Sequence, residues 1–219
     1  MTDTKPTDDT ETGDTIVPAA PTEFGLIQVF WGDGKGKTTA AMGMGLRAAG
    51  RGFRVHMLQF MKGGADSIDD RPGEYRAIDA LPGFSYENTG HYGWHGFRDG
   101  SDDDDHAAQA RAGLDRARTI VDACAAADLS APIPLDAEPE TGVHMLILDE
   151  IVYAGNRGLI DTDAILDLLD SAPDSLELVL TGGHEDPDWL VDAADLVTNV
   201  RKVKHPIEAG QSARKGTEY

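Results

Sequence analysis

Cysteine is almost missing from this chain: Cys124 stands alone among 219 residues. An internal disulfide is therefore excluded, and no C-x-x-C or mixed His/Cys spacing offers a structural zinc site. Long apolar runs are also missing. No stretch approaches the roughly 18 residues that a membrane-spanning helix needs, and the N-terminus has no basic region followed by an apolar one, so neither a transmembrane segment nor a signal peptide is expected. Basic residues are few, 19 against 39 acids, for a formal net charge of −20. A field of that sign repels phosphate backbones and anionic lipid, which argues against nucleic acid and membrane surfaces as partners. These absences leave the expectation of a soluble chain in a reducing cytoplasm. The acidic excess also fits a halophilic protein kept soluble in concentrated salt, where the screening length falls to about 3 Å at 1 M.

What is present suits one folded unit. With 40% hydrophobic and 26% charged residues, the chain is long enough to bury a sizeable core. Residues 1–23 carry six acids against Lys5 and few apolar groups, a composition expected to form a disordered acidic tail before a single domain at 24–219. Apolar β-forming runs at 26–31, 53–60, 143–148, 176–181 and 196–203, with a shorter one at 84–87, predict strands. Helix-forming segments at 37–49, 74–81, 106–127, 162–169 and 189–194 alternate with them. Two segments stand out from the pattern: a long Gly-, Asp- and aromatic-rich stretch at 62–105, read as a functional loop, and an irregular excursion with three prolines at 129–142. Met42, Met44 and Cys124 fall on predicted helices and read as core. The alternation predicts an α/β fold, a mostly parallel sheet with helices on both faces.

Chemistry concentrates in two places. Gly32-Asp33-Gly34-Lys35-Gly36-Lys37-Thr38-Thr39 follows the first strand and opens the first helix, where a phosphate-binding loop belongs. Glycines let backbone N–H groups wrap around phosphate oxygens, the helix start adds unpaired donors, Lys37 supplies a cation, and Thr38 offers a hydroxyl to magnesium. The loop is one residue shorter than G-x-x-x-x-G-K-[ST], because Trp31 stands where the first glycine would be. Second, the apolar strand before Asp149-Glu150 ends in two carboxylates, as a metal-holding strand does in P-loop proteins. Arg47 and Lys62 are further candidates for contact with triphosphate.

The combination resembles the ATP:corrinoid adenosyltransferase family over residues 25–219. The resemblance is carried by the short loop GDGKGKTTAA, by Gln59-Phe60-Met61-Lys62-Gly63, by Thr89-Gly90 with Trp94 after it, by LILDE with Tyr153, by LTG at 180–182, by Val203-Lys204-His205, and by the terminal Gly216-Thr217-Glu218-Tyr219. It implies a P-loop fold and transfer of the 5′-deoxyadenosyl group of ATP to the reduced cobalt of a corrinoid such as cobalamin or cobinamide, with triphosphate leaving. It implies ATP bound by Gly32 to Thr39, with Arg47 and Lys62. Mg2+ (or Mn2+) would be held by Thr38, Asp149 and Glu150, with Lys37, Thr38 and Glu150 serving the reaction. Tyr92 and Trp94 would form the aromatic face against the corrinoid. An electron donor for the cobalt and a homodimeric assembly follow from the same resemblance. Taken without it, the motifs also suit a P-loop ATPase or kinase that transfers the γ-phosphoryl group, or a nucleotide-dependent binding module.

Overall fold

The computed structural model describes residues 15–62, 72–89 and 103–217. Within them a six-stranded sheet, all parallel, runs in the order β3-β2-β4-β5-β1-β6. The strands are β1 (Ile27–Trp31), β2 (Val55–Phe60), β3 (Phe84–Thr89), β4 (Met145–Asp149), β5 (Glu177–Gly182) and β6 (Leu196–Asn199). The helices are α1 (Lys37–Ala49), α2 (Gly73–Ala80), α3 (Asp103–Ala126), α4 (Ile151–Asn156), α5 (Thr162–Asp170) and α6 (Asp188–Val191).

Period-2 alternation splits the central strands between two cores. Met57, Met145, Ile147 and Val179 face α1 and α2, where Ala41, Ala48, Ala49 and Ile78 meet them. Leu58, Phe60, Leu146, Leu148, Leu178 and Leu180 face the other way, onto Ala110, Leu114, Ala117, Ile120 and Val121 of α3, with Val152 of α4 and Ile165, Leu168 and Leu169 of α5. The sheet is thus buried on both sides, which is why β2, β4 and β5 are buried at every position and read as mostly apolar runs. Cys124 and the methionines sort differently: Cys124 is buried, while Met42 and Met44 are only partly so.

The proline-bearing excursion is irregular apart from a short 3-10 turn at Pro139–Thr141. It is tied to the sheet by the buried Arg54, whose guanidinium donates to Ala137 O and to Ser85 Oγ on β3. Helix α4, only six residues long, is by contrast not predicted from the sequence. Contacts also begin earlier than the boundary expected at residue 23. Ala19 donates its N–H to Gly52 O at 2.9 Å. Such an extended segment attaches through its backbone and needs little apolar burial.

Candidate active site

Because every strand is parallel, β1, β2, β4 and β5 bring their C-terminal ends to one edge of the sheet, where helix N-termini and loops converge. At that edge lies a cavity of about 600 Å3, lined by residues 33–39, Met42, Lys62, Glu150, His184 and, from the C-terminal segment, His205 and Thr217.

The loop after β1 holds its shape by close backbone approaches. Gly32 has φ +123° and lies so near Val200 that a Cβ would stand 2.4 Å from its carbonyl oxygen. Gly34 donates its N–H to Val200 O at 2.7 Å, and a Cβ there would come within 2.8 Å of three backbone atoms of the same segment. Asp33 faces this segment too: its carboxylate accepts the Lys202 N–H at 2.9 Å, a bond that lowers its pKa. Helix α1 then starts at Lys37. Its N-cap, Gly36, has no side chain to satisfy the first amides, so positive potential and unpaired donors of the first turn are directed at an incoming anion. The Lys37 ammonium donates to Gly32 O at 2.8 Å and Gly34 O at 2.9 Å, folded onto its own loop.

The acidic half comes from β4. Asp149 is fully buried; its Oδ1 accepts from Thr181 Oγ1 at 2.6 Å, and its Oδ2 accepts from Gln59 Nε2 at 2.9 Å and Lys62 Nζ at 2.7 Å. Burial opposes its ionisation, but the Lys62 ammonium and these three hydrogen bonds outweigh burial and hold the carboxyl below its ordinary value. For Lys62 burial acts downward, and the Asp149 charge overrides it to raise the ammonium pKa. Lys62 Nζ also lies 3.4 Å from Thr38 Oγ1, so one ammonium spans the two motifs. Glu150 adopts left-handed φ 66°, unusual for a non-glycine residue and costing about 1–3 kcal/mol. Burial first, then the neighbouring Asp149 charge, raise its pKa. Its turn is accommodated by Gly182, φ +127°, where a Cβ would fall 2.8 Å from Tyr153 N and 2.9 Å from Glu150 Oε2. A second positive φ, 59° at Met61, turns the end of β2 just before Lys62.

The donor set suits a hard divalent cation: the Thr38 hydroxyl, two carboxylates, and Gln59 Oε1, a buried acceptor without a hydrogen-bond partner beside Asp149. Of the residues expected to act, Asp33, Gly34, Lys35, Gly36, Lys37, Thr38, Thr39, Lys62 and Glu150 line the cavity. Gly32 and Asp149 stand behind the lining, the first supporting the loop and the second bonded to Lys62. Arg47 is not brought there. It lies in the last turn of α1, ten residues and about 15 Å of helix beyond Lys37. Tyr92 and Trp94 lie outside the described residues. The sequence reading missed His184, whose ring meets Tyr153 edge-on at 6.2 Å on the cavity wall. Gln59 and Thr181, which the motifs contain without a role, both clamp Asp149. Their only advance signal was a polar residue inside an apolar strand.

The profile of the family described as ATP:corrinoid adenosyltransferase BtuR/CobO/CobP matches residues 23–219. The chain belongs to the ATP:corrinoid adenosyltransferase family. Among curated members, the corrinoid adenosyltransferase of Pseudomonas aeruginosa is 33% identical over 211 residues, 94% of this chain and 89% of that protein. The corrinoid adenosyltransferase CobA of Salmonella typhimurium is 30% identical over 213 residues, covering 94% and 91%. The corrinoid adenosyltransferase of Escherichia coli K12 is 28% identical over 208 residues, with the same coverage. The adenosyltransferase match thus takes in the loop after β1, the acidic end of β4 and the C-terminal segment that closes over the loop.

Proposed function

We propose that the chain transfers the 5′-deoxyadenosyl group of ATP to the reduced cobalt of a corrinoid, with cob(I)alamin as the test substrate, and releases triphosphate. The observation that carries this reading is the convergence of Lys37, Lys62, Thr38 and Glu150 on one cavity at the start of α1, with Asp149 bonded to Lys62 behind it, in a chain of this family. The cobalt in its reduced state brings its own electron pair, so the step needs no side chain as nucleophile. That pair forms the cobalt–carbon bond at C5′ while the C5′–O bond breaks, and its electrons leave with the triphosphate.

The protein's share is alignment and charge. The first-turn amides of α1, with Lys37, grip triphosphate oxygens and stabilise the charge that grows on them as the bond breaks. Thr38, Asp149 and Glu150 are the residues that would hold Mg2+ (or Mn2+), and the metal, when bound, neutralises further charge on the leaving group. Asp33 offers a carboxylate already engaged by Lys202, so its contribution is the shape of the loop rather than contact with phosphate. Tyr92 and Trp94 are assigned to the corrinoid face by family resemblance. A reductant that delivers electrons to the cobalt and a homodimeric assembly belong to the same reading.

Incubation with ATP, Mg2+ and chemically reduced cobalamin tests the proposal. It predicts the light-sensitive adenosylcobalamin spectrum together with inorganic triphosphate. ADP and phosphate, formed whether or not corrinoid is present, would overturn it.

A further inference from the structure

The position of Lys62 is unusual for a residue whose task is to hold triphosphate. Its ammonium is spent on the protein: 2.7 Å from Asp149 Oδ2 and 3.4 Å from Thr38 Oγ1. These two oxygens come from the two motifs assigned to the divalent cation. Mg2+ sits about 2.0–2.1 Å from its ligand oxygens. An ion at that distance from Asp149 Oδ2 would stand against an ammonium already bonded to the same oxygen, so the two cations repel and compete for the carboxylate, whose other oxygen accepts from Thr181.

Local backbone supports the placement. Gln59 and Asp149 are register partners across β2 and β4, and the left-handed turn at Met61 ends β2 so that Lys62 lies over the neighbouring strand's carboxylate. The pairing also has a clear physical purpose. A fully buried carboxylate beside a second one at Glu150 is costly unless a cation lies against it. Lys37 does not serve, because its ammonium is turned onto Gly32 O and Gly34 O. Lys62 lines the cavity along with Lys37 and Thr38, so its flexible four-carbon stem can carry the charge from Asp149 to an anion in the same space.

We propose that the Lys62 ammonium occupies the divalent-cation position of the nucleotide-free chain and leaves Asp149 for the triphosphate only when metal and nucleotide arrive together. This rests on the ATP site proposed above. Its consequence is an order of binding: the chain takes up metal as the metal–nucleotide complex and excludes the free ion. A lysine that fills the position nine-tenths of the time lowers the apparent affinity for free metal about tenfold.

Mn2+ titration of the nucleotide-free chain, with unbound Mn2+ read by electron paramagnetic resonance, tests this without any turnover. Lys62→Met is expected to bind Mn2+ at least about tenfold more tightly than the unaltered chain. Adding Asp149→Asn to Lys62→Met is expected to abolish that gain. Equal or weaker binding by a folded Lys62→Met overturns the proposal. Should that variant fail to fold, the unaltered chain decides by NMR of its 13Cε-labelled lysines, with the Lys62 signal assigned through Lys62→Arg. Movement of that signal by Mg2+ alone overturns the proposal; movement only when Mg2+ and ATP are both present supports it. Equilibrium dialysis with ATP and Mg2+ separates the two levels. A chain that does not bind ATP fails at the underlying site, whereas an ATP-binding chain with unchanged Lys62→Met metal affinity fails at the lysine alone.

Discussion

His56 shows how far a single buried side chain can set a pH limit on this fold. It lies on β2, 1% exposed, with Nδ1 2.8 Å from Ser85 Oγ and Nε2 3.6 Å from Glu87 Oε1, too long for a hydrogen bond. Burial, opposed by the Glu87 charge, pushes its pKa down to about 4. The unfolded chain therefore takes up this proton near pH 6.5, while the folded chain does so only near 4. Stability from this group is complete above pH 6.5 and drains away as the pH falls toward 4, by an amount on the order of 3 kcal/mol. Urea unfolding at several pH values should show the decline. His56→Asn should flatten part of the slope, leaving the share of His144, also held down by burial. An unchanged slope in that variant would remove His56 from the account. The same scale shows what sequence could and could not tell. Lys37 and Thr38 were legible because their roles follow from position beside glycines at a helix start. Thr181 and Gln59 were not, since their role is a hydrogen bond to Asp149 from a strand distant in sequence.

Among the elements, strands and helices were largely legible, and their boundaries moved by only a few residues, because buried parallel strands and amphipathic helices leave different periods. Strand order was not. Nothing in β5 announces that it lies between β1 and β4, which sets the spacing between the phosphate loop and the acidic pair. The C-terminal segment carries motif residues to which the sequence alone gives no role. The structure lays it across the loop, with Val200 O on Gly34 N–H and Lys202 N–H on Asp33. Gly34→Ala tests that contact, since its Cβ would meet backbone atoms that have no flexible end to move aside. Loss of the bond and the forced shift together should lower the opening free energy at Val200 and Lys202 by about 1–3 kcal/mol. Hydrogen exchange at those amides should accelerate accordingly. Unaltered exchange would mean that the segment is held elsewhere.

At the level of the whole molecule, charge and site pull in opposite directions. A net charge of −20 repels a polyanionic substrate, yet Lys35, Lys37 and Lys62 gather at one cavity. The remaining acids repel each other across the surface, and this repulsion is screened as the Debye length falls from about 10 Å at 0.1 M salt to about 3 Å at 1 M. The thermal midpoint should therefore rise with KCl over that range; a fall would show that specific surface ion pairs outweigh general repulsion. The activity itself rests on one claim, that the triphosphate is the leaving group and the ribose carbon is the point of attack. Product analysis after incubation with ATP, Mg2+ and reduced cobalamin measures it directly. The account predicts adenosylcobalamin and inorganic triphosphate in equal amounts, with the rate falling about 100-fold or more in Lys37→Ala. ADP as the product, or adenosylcobalamin formed at an undiminished rate by Lys37→Ala, would contradict it.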